Sequence, residues 1–340
     1  MDKSNPAIES LREKIKKANL PPDLVERTES LLSVSDSGNL VNIQSYIETL
    51  TLVPFSNATE DILDINKTKE VLDKNHYGLL EVKNRILEYL SSLILNLEKG
   101  RNSSDTPILC LVGIAGTGKT TLASSIAQSL GRSFERIAFG GLGDVASLRG
   151  ESRNLPNAEP GLIVKRLIHG KSRNPVLLLD EIDRVVEASR ADVMGVLLEL
   201  LDPSQNMAFM DHYIDYPIDL SKVLFVATAN NSTNISTAVL DRLEVIQMPS
   251  YSDEEKENIG KNYLFPKIIE RCGLERGQIV FDEAVWPLLI RPLGFDSGIR
   301  SLERTLEGIA RKVARRIVEG NLEKSAIIRI DSSNVKEFLA

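Results

Sequence analysis

Cysteine, histidine and aromatic side chains are scarce in this chain, and each scarcity argues against a class of function. The two cysteines, Cys110 and Cys272, lie far apart and each sits among apolar neighbours. That is the usage of buried thiols in a reducing compartment, not of a disulfide framework. His76, His169 and His212 are scattered, with no cysteine or carboxylate at ligand spacing, so neither a zinc site nor a catalytic metal held by protein alone is expected. Aromatic residues make up 5% of the chain, a poor supply for a rigid aromatic-lined pocket or a barrel. No apolar run approaches the roughly 20 residues that span a bilayer. The start, Met1 to Lys17, is polar with charges of both signs and is no arginine-rich leader, and Glu337 to Ala340 is no peroxisomal address. A soluble intracellular protein without a membrane partner is expected. Bacterial cytoplasm, mitochondrial matrix and peroxisomal matrix are not distinguished by the sequence. Internal repeats and low-complexity tracts are also missing.

What is present points to several packed units. With 340 residues, 42% of them apolar, the chain can bury more than one core. Charged residues at 26% suit a mostly α protein with one sheet. The net charge of -7 repels phosphate backbones as a whole, which argues against nucleic acid as the main partner.

Three blocks follow along the chain. In residues 1–70, apolar positions recur at helical spacing (Leu11, Ile15, Leu24, Leu32, Ile43, Ile47), broken at Pro21-Pro22 and at Ser35 to Asn39; this predicts a small helical bundle, followed by a polar linker from Ser56 to Asp61. In residues 71–249, a helix near Leu79 to Leu97 and a Gly/Ser/Asn-rich loop from Lys99 to Asp105 lead into alternating strands and helices. The strands are read at Ile108 to Val112, Arg136 to Phe139, Val176 to Leu179, Val223 to Ala227 and Val245 to Met248. That alternation predicts a parallel five-stranded sheet flanked by helices. In residues 250–340, Ser252 and Glu255 form a capping box that opens a helix, and a second helix runs from Ile299 to Glu319 and stops at Gly320, giving a mainly helical lid.

The strongest chemical signal is Gly113-Ile114-Ala115-Gly116-Thr117-Gly118-Lys119-Thr120, after a strand and at the start of a helix. Glycines there let backbone N–H groups and the helix N-terminus face nucleotide phosphates, with Lys119 on the β- and γ-phosphates and Thr120 on magnesium. A ligand-free glycine turn is the plain alternative. The second signal is a buried strand ending in Asp180-Glu181: Asp180 can hold the magnesium shell and Glu181 can activate water, although a salt-bridged strand end would look the same. Asn230, after a later strand, can position the lytic water or be a simple turn residue. Arg242, placed on a short helix in Val239 to Leu243, can stabilise transition-state charge or form a surface ion pair with Asp241. The basic helix carrying Arg300, Arg304, Arg311, Lys312, Arg315 and Arg316 alternates with Leu302, Leu306, Ile309, Val313 and Ile317. It reads as a half-buried helix with a solvated face in preference to a nucleic-acid patch.

These residues together resemble the Lon protease family. The resemblance is carried by Asp73 to Gly78, the phosphate loop, Leu179 to Asp183, Leu201-Asp202-Pro203 with Gln205-Asn206, Asp211-His212-Tyr213, Leu240 to Ile246, and Gly298 to Arg304; it covers about the whole chain and is weakest before residue 50. It implies an AAA+ P-loop ATPase that uses ATP and Mg2+ in a homo-hexameric ring to unfold and thread damaged proteins for degradation. It implies that Asn230 is the first sensor, Arg242 an arginine finger for a neighbouring subunit, and Arg300 the lid sensor of the γ-phosphate. His76 and Tyr77 match a segment beside the adenine. A subunit by itself is then expected to hydrolyse ATP poorly, and a monomer is compatible with an isolated piece.

Two features depart from the family pattern. No Ser-Lys peptidase domain is present, so this chain is expected not to cut peptides; the break at a domain edge is expected of an excised piece, with a peptidase-free protein as the alternative. In the substrate-gripping loop, where the family carries an aromatic-aliphatic pair after a Gly-His-Arg-Arg-Thr run, this chain reads Gly150-Glu151-Ser152-Arg153-Asn154-Leu155-Pro156-Asn157. Leu155 can press on a passing chain, but Pro156 stiffens the backbone and no ring is available. Two other classes of protein share the nucleotide motifs: a non-hydrolysing nucleotide switch, and a DNA loader, which the acidic balance disfavours.

Overall fold

A computed structural model describes residues 6–34, 40–103, 106–291, 298–323 and 325–339. Met1 to Asn5, the break at Ser35 to Asn39, the end of the Gly/Ser/Asn loop at 104–105 and the final Ala340 lie outside the described residues. Two compact units emerge: Met1–Val71, Lys83–Val112 and Thr120–Ile246 form the first, and Leu72–Val82, Gly113–Lys119 and Gln247–Ala340 the second.

Three helices open the first unit: α1 (Pro6–Lys17), α2 (Pro22–Ser33) and α3 (Leu40–Leu52). Pro22 sits at the first turn of α2, where a missing N–H leaves nothing unpaired. Leu11, Ile15, Leu24, Leu32, Ile47 and Leu50 are buried and belong to the same hydrophobic core as the sheet that follows. The polar linker does not hang free. Asn57 donates to the Lys171 carbonyl (2.7 Å), Asn174 binds Thr59, and the buried Arg132 guanidinium grips Asp61 through two bonds of 2.7 Å.

After α4 (Ile65–Asn75) and α5 (Leu80–Glu98) come β1 (Ile108–Val112), α6 (Lys119–Leu130), β2 (Phe134–Ala138), α7 (Ala146–Arg149), α8 (Leu162–Gly170) and β3 (Val176–Asp180). Then follow α9 (Arg190–Leu201), α10 (Pro203–Asn206), a small antiparallel hairpin of β4 (Phe209–Met210) and β5 (Pro217–Ile218), β6 (Leu224–Ala229), α11 (Thr237–Leu240) and β7 (Leu243–Gln247). The five long strands lie in the order β2-β3-β6-β1-β7, with parallel registers such as Ile137↔Leu179, Leu178↔Val226 and Cys110↔Ala227. Every residue of β1, β3 and β6 is buried, which accounts for their unbroken apolar runs under helices on both faces. The edge strand β2 alternates buried and open positions, and so starts two residues before its apolar run does. In a parallel sheet all strands end on one edge, so Val112, Asp180 and Ala229 deliver the chain to a common rim.

The second unit holds α12 (Asp253–Ile259), a π-helical turn at Gly260–Leu264, α13 (Phe265–Arg271), β8 (Ile279–Phe281), α14 (Trp286–Ile290), α15 (Arg300–Val318), β9 (Ile328–Ile330) and α16 (Val335–Leu339). The expected capping box of Ser252 and Glu255 starts α12. Leu302, Leu306, Ile309 and Val313 of α15 pack with Trp286 and Phe338. The arginines of α15 face outward into pairs such as Arg311 with Glu307 and Arg315 with Glu319, both at 2.6 Å, as a solvated face requires. Two expectations need correction: β8 with β9, and β4 with β5, add two small sheets to the single one expected, and Cys272 is only partly buried although Cys110 is fully so. Among the described residues no helix is long and apolar enough to cross a membrane.

Candidate functional site

The phosphate loop follows β1 and runs into α6. Gly116 and Gly118 have φ of +84° and +90°, a left-handed backbone that only glycine adopts without strain. Thr117 donates its hydroxyl to the Ile114 carbonyl (3.0 Å), and Lys119 folds its ammonium back onto the carbonyls of Gly113 (2.5 Å) and Ile114 (3.0 Å). The lid side of the same unit closes on this loop. Ile299 donates its N–H to the Gly116 carbonyl (3.2 Å), and a Cβ on Gly116 would lie 3.2 Å from that nitrogen and 3.3 Å from Arg300 Cγ. The loop therefore requires glycine for two separate reasons, conformation and space. Arg300 itself is exposed, at the first position of α15. Tyr251 donates its hydroxyl to the Thr117 carbonyl at 3.0 Å; burial, helped by the Glu255 charge, pushes that hydroxyl up to about 12, so it remains a donor at any ordinary pH. His76 is buried and Tyr77 is half-exposed, its ring edge-on to Tyr263 at 6.4 Å.

The acidic cluster lies in the sheet unit. Asp180 ends β3 almost fully buried, and Arg136 of β2 reaches its Oδ2 through Nε (2.7 Å) and Nη2 (2.6 Å). Thr228 of β6 donates its hydroxyl to Asp180 Oδ1 and accepts the Glu181 N–H at 3.0 Å. One tie thus holds two neighbouring acids. Glu181 has a left-handed φ of +58°, its carboxylate 3.7 Å from Arg184 and close above Gly140, where a Cβ would come within 2.8 Å of Oε2. Asp183 is buried and accepts the N–H groups of Asn230 (3.1 Å) and Asn231 (3.3 Å), which fixes the turn carrying Asn230 directly after β6. Arg136, Thr228 and Asp183 escaped the sequence reading. Asp183 had a signal, as a third acid two residues past Glu181, but Arg136 and Thr228 look like ordinary strand residues until the register sets them beside Asp180.

Arg242 does not sit on the short helix as expected; it follows the end of α11, before β7. It pairs with Asp202 (2.9 Å), not with Asp241, and also donates to the Ala238 carbonyl (3.1 Å). The Ser204 hydroxyl first, and then Arg242, hold the Asp202 carboxyl down to about 2.

Leu155 and Pro156 form the tip of an exposed loop, Leu155 being 55% open. Glu151 donates its N–H to the Glu159 carbonyl (3.1 Å), closing the loop's neck. At its foot Gly161 approaches the opposite leg so closely that a Cβ would lie 2.0 Å from the Leu148 carbonyl oxygen. Asp211, in the β4–β5 connection, is fully buried and accepts N–H groups from Gly161 (2.7 Å), Tyr213 (2.9 Å) and Ile214 (3.0 Å). Burial nevertheless outweighs these bonds and raises its carboxyl above the usual range.

The residues present fit a magnesium nucleotide. A carboxylate offers about four lone-pair positions, and Arg136 and Thr228 occupy three on Asp180, leaving one for a metal-bound water. Among the described residues no group of three or more His, Cys, Asp or Glu side chains could hold a metal ion.

Comparison with known proteins shows what this chain is similar to. Residues 109–251 match the ATPase family associated with various cellular activities (AAA), and residues 270–326 match the Lon protease AAA+ ATPase lid domain. A Lon protease of Syntrophomonas wolfei is 40% identical over 343 residues, 99% of this chain and 41% of that protein. A Lon protease of Dictyoglomus thermophilum is 42% identical over 329 residues, 95% of this chain and 41% of its own length. A Lon protease of Clostridioides difficile is 42% identical over 340 residues, 98% of this chain and 42% of its own. The chain thus spans about two fifths of the relatives it matches.

Proposed function

Because the chain belongs to the Lon protease family, whose AAA+ ATPase and lid it carries, we propose that it powers the unfolding and threading of protein substrates for ATP-dependent degradation. The observation that carries the hydrolytic part of this reading is the double tie of Thr228, which joins the Asp180 carboxylate to the Glu181 backbone. A storage or switch site has no need of a second acid fixed beside the first.

The roles are those the motifs and the family resemblance imply. Lys119 exchanges its two loop carbonyls for β- and γ-phosphate oxygens, and loop N–H groups take the remaining charge. Thr120 and Asp180 hold magnesium, which when bound neutralises charge on the phosphate oxygens. Glu181 accepts the proton of the attacking water, while Asn230, held by Asp183, orients that water. Arg300 reads the γ-phosphate from the lid, and His76 and Tyr77 lie beside the adenine. Arg242 serves a neighbouring subunit's site in a hexameric ring. Leu155 and Pro156 press on the moving polypeptide; with no aromatic ring at the tip, the grip is weaker than an aromatic pair provides. That departure also favours a second reading, a Lon-like ATPase that hydrolyses ATP with impaired threading.

Glu181→Gln keeps the shape and hydrogen bonds of the site but removes the base. It is expected to bind ATP as tightly as the parent and to lose turnover by about 10² or more. Turnover at the parental rate, measured as phosphate release in the assembled protein, would overturn the hydrolytic assignment. DNA-stimulated turnover with a steep salt dependence would instead indicate a loader.

A further inference from the structure

The loop bearing Leu155 and Pro156 is joined to the N-terminal helices. The Arg153 guanidinium carbon lies 4.7 Å from the centroid of the Tyr46 ring on α3. Tyr46 is only 2% exposed; its hydroxyl donates to the Ile214 carbonyl (2.9 Å) and its ring leans on Tyr213 at 6.0 Å. Tyr213 and Ile214 are the residues whose N–H groups Asp211 accepts, and Asp211 also binds the Gly161 N–H at the loop's foot. Both ends of the loop therefore meet one stack: Arg153 on the entering leg rests on Tyr46, and Gly161 on the leaving leg is bonded through Asp211 to the segment that Tyr46 covers.

The helices themselves are fastened to that segment. Arg27 of α2 binds both the carbonyl and the carboxylate of Asp215, Asp23 accepts the Tyr216 hydroxyl at 2.8 and 2.9 Å, and Phe55 meets the Tyr216 ring edge-on at 5.9 Å. A cation held over a desolvated aromatic face is favourable and directional. Tyr46 is already immobilised by packing and by its own hydrogen bond, so it restrains Arg153 and not the reverse.

We propose that Arg153 and Tyr46 are a pair of positioning residues that tether the substrate loop to helix α3, so that the N-terminal helices set how far the loop tip can move. The consequence for protein substrates rests on reading residues 151–159 as the gripping loop; the tether itself does not. A polypeptide pulled across Leu155 would then transmit load through Arg153 to α3.

Hydrogen exchange on the full chain tests the tether directly. The N–H groups of Glu151, Leu155 and Ala158 are bonded within the loop, to the carbonyls of Glu159, Ser152 and Leu155, and report on its opening. Arg153→Ala is expected to speed their exchange about tenfold, and Arg153→Lys and Tyr46→Phe, which keep a cation and a ring, by less. The His212 N–H, bonded to the Arg149 carbonyl at 2.7 Å, serves as the internal reference. Parental exchange in Arg153→Ala would overturn the proposal, and this variant avoids the folding risk of truncating the buried Tyr46. In the assembled ring, the ratio of ATPase rates with and without unfolded casein separates the two readings. Faster exchange with a several-fold rise in the KM for casein supports both. Faster exchange with an unmoved KM keeps the tether and removes the gripping role.

Discussion

The phosphate loop and the exposed loop of residues 151–159 are both bracketed by glycines, yet they are held in different ways. Residues 113–119 are shaped largely by their own chain: left-handed glycines, and a threonine and a lysine that bond to loop carbonyls, as the Ile299 N–H and the Tyr251 hydroxyl also do. Residues 151–159 have backbone bonds of their own but are also supported by side chains from elsewhere: Asp211 at the foot, through Gly161, and Tyr46 beneath Arg153. A loop whose function lies in backbone N–H groups needs particular residues in a row, and so announces itself. A loop whose function lies in a side-chain tip can vary its residues as long as its supports persist.

The sharpest way to break this contrast is to add one methyl group to each loop. Gly161→Ala puts a Cβ 2.0 Å from a backbone oxygen that cannot yield, and is expected to destabilise the fold by about 4 kcal/mol. Thermal melts should show a large fall in Tm. Gly116→Ala meets only tight contacts of 3.2 to 3.4 Å but must adopt φ near +84°, at a strain of about 1–2 kcal/mol. It should fold, lose roughly tenfold in ATP affinity by calorimetry, and lower Tm much less. Equal effects of the two substitutions on Tm would dissolve the distinction.

A smaller effect concerns the support of the 151–159 loop. Asp211 has a raised folded pKa, so its protonated form is favoured by folding. That contribution is fully present below the unfolded value of about 3.9 and fades as pH rises through the folded value. Asp211→Asn does not titrate, and its amide N–H₂ opposes one of the three N–H donors, at a cost of about 1–3 kcal/mol. The stability gap between parent and variant should therefore be widest near pH 4 and narrow toward neutral pH, as urea unfolding would show. A gap that widens with rising pH would mean that the three N–H bonds outweigh burial.

The smallest expected change is at the loop tip. Leu155→Tyr restores a ring without touching the neck or foot, and is expected to raise the stimulation of ATPase by unfolded protein by about two- to threefold through added contact area. No change would place the limitation at Pro156, whose ring fixes the backbone beside it.

Much of the fold was legible because its cause is local. The unbroken apolar runs of β1, β3 and β6 are those of strands buried on both faces, the Ser252 and Glu255 pair starts α12, and the 3.6-residue apolar spacing of α15 faces the lid core. The phosphate loop and the Asp180-Glu181 pair were legible for the same reason, since each is a contiguous stretch with its chemistry in order. The edge strand β2 was read late because an edge shows only alternation, and Arg242 was put on a helix that ends before it.

By itself, then, the sequence determined the glycine-rich and acidic motifs, the order of the main helices and the five long strands, and the resemblance to a family. The tertiary structure decided who holds them: Arg136 and Thr228 on Asp180, Asp183 beneath Asn230, Asp202 on Arg242, and Tyr46 under Arg153. The physical reason is one of range. Backbone conformation and burial periodicity are set within a few residues of chain, whereas a buried hydrogen bond or a stacked cation depends on strand register and on packing between segments tens to a hundred residues apart.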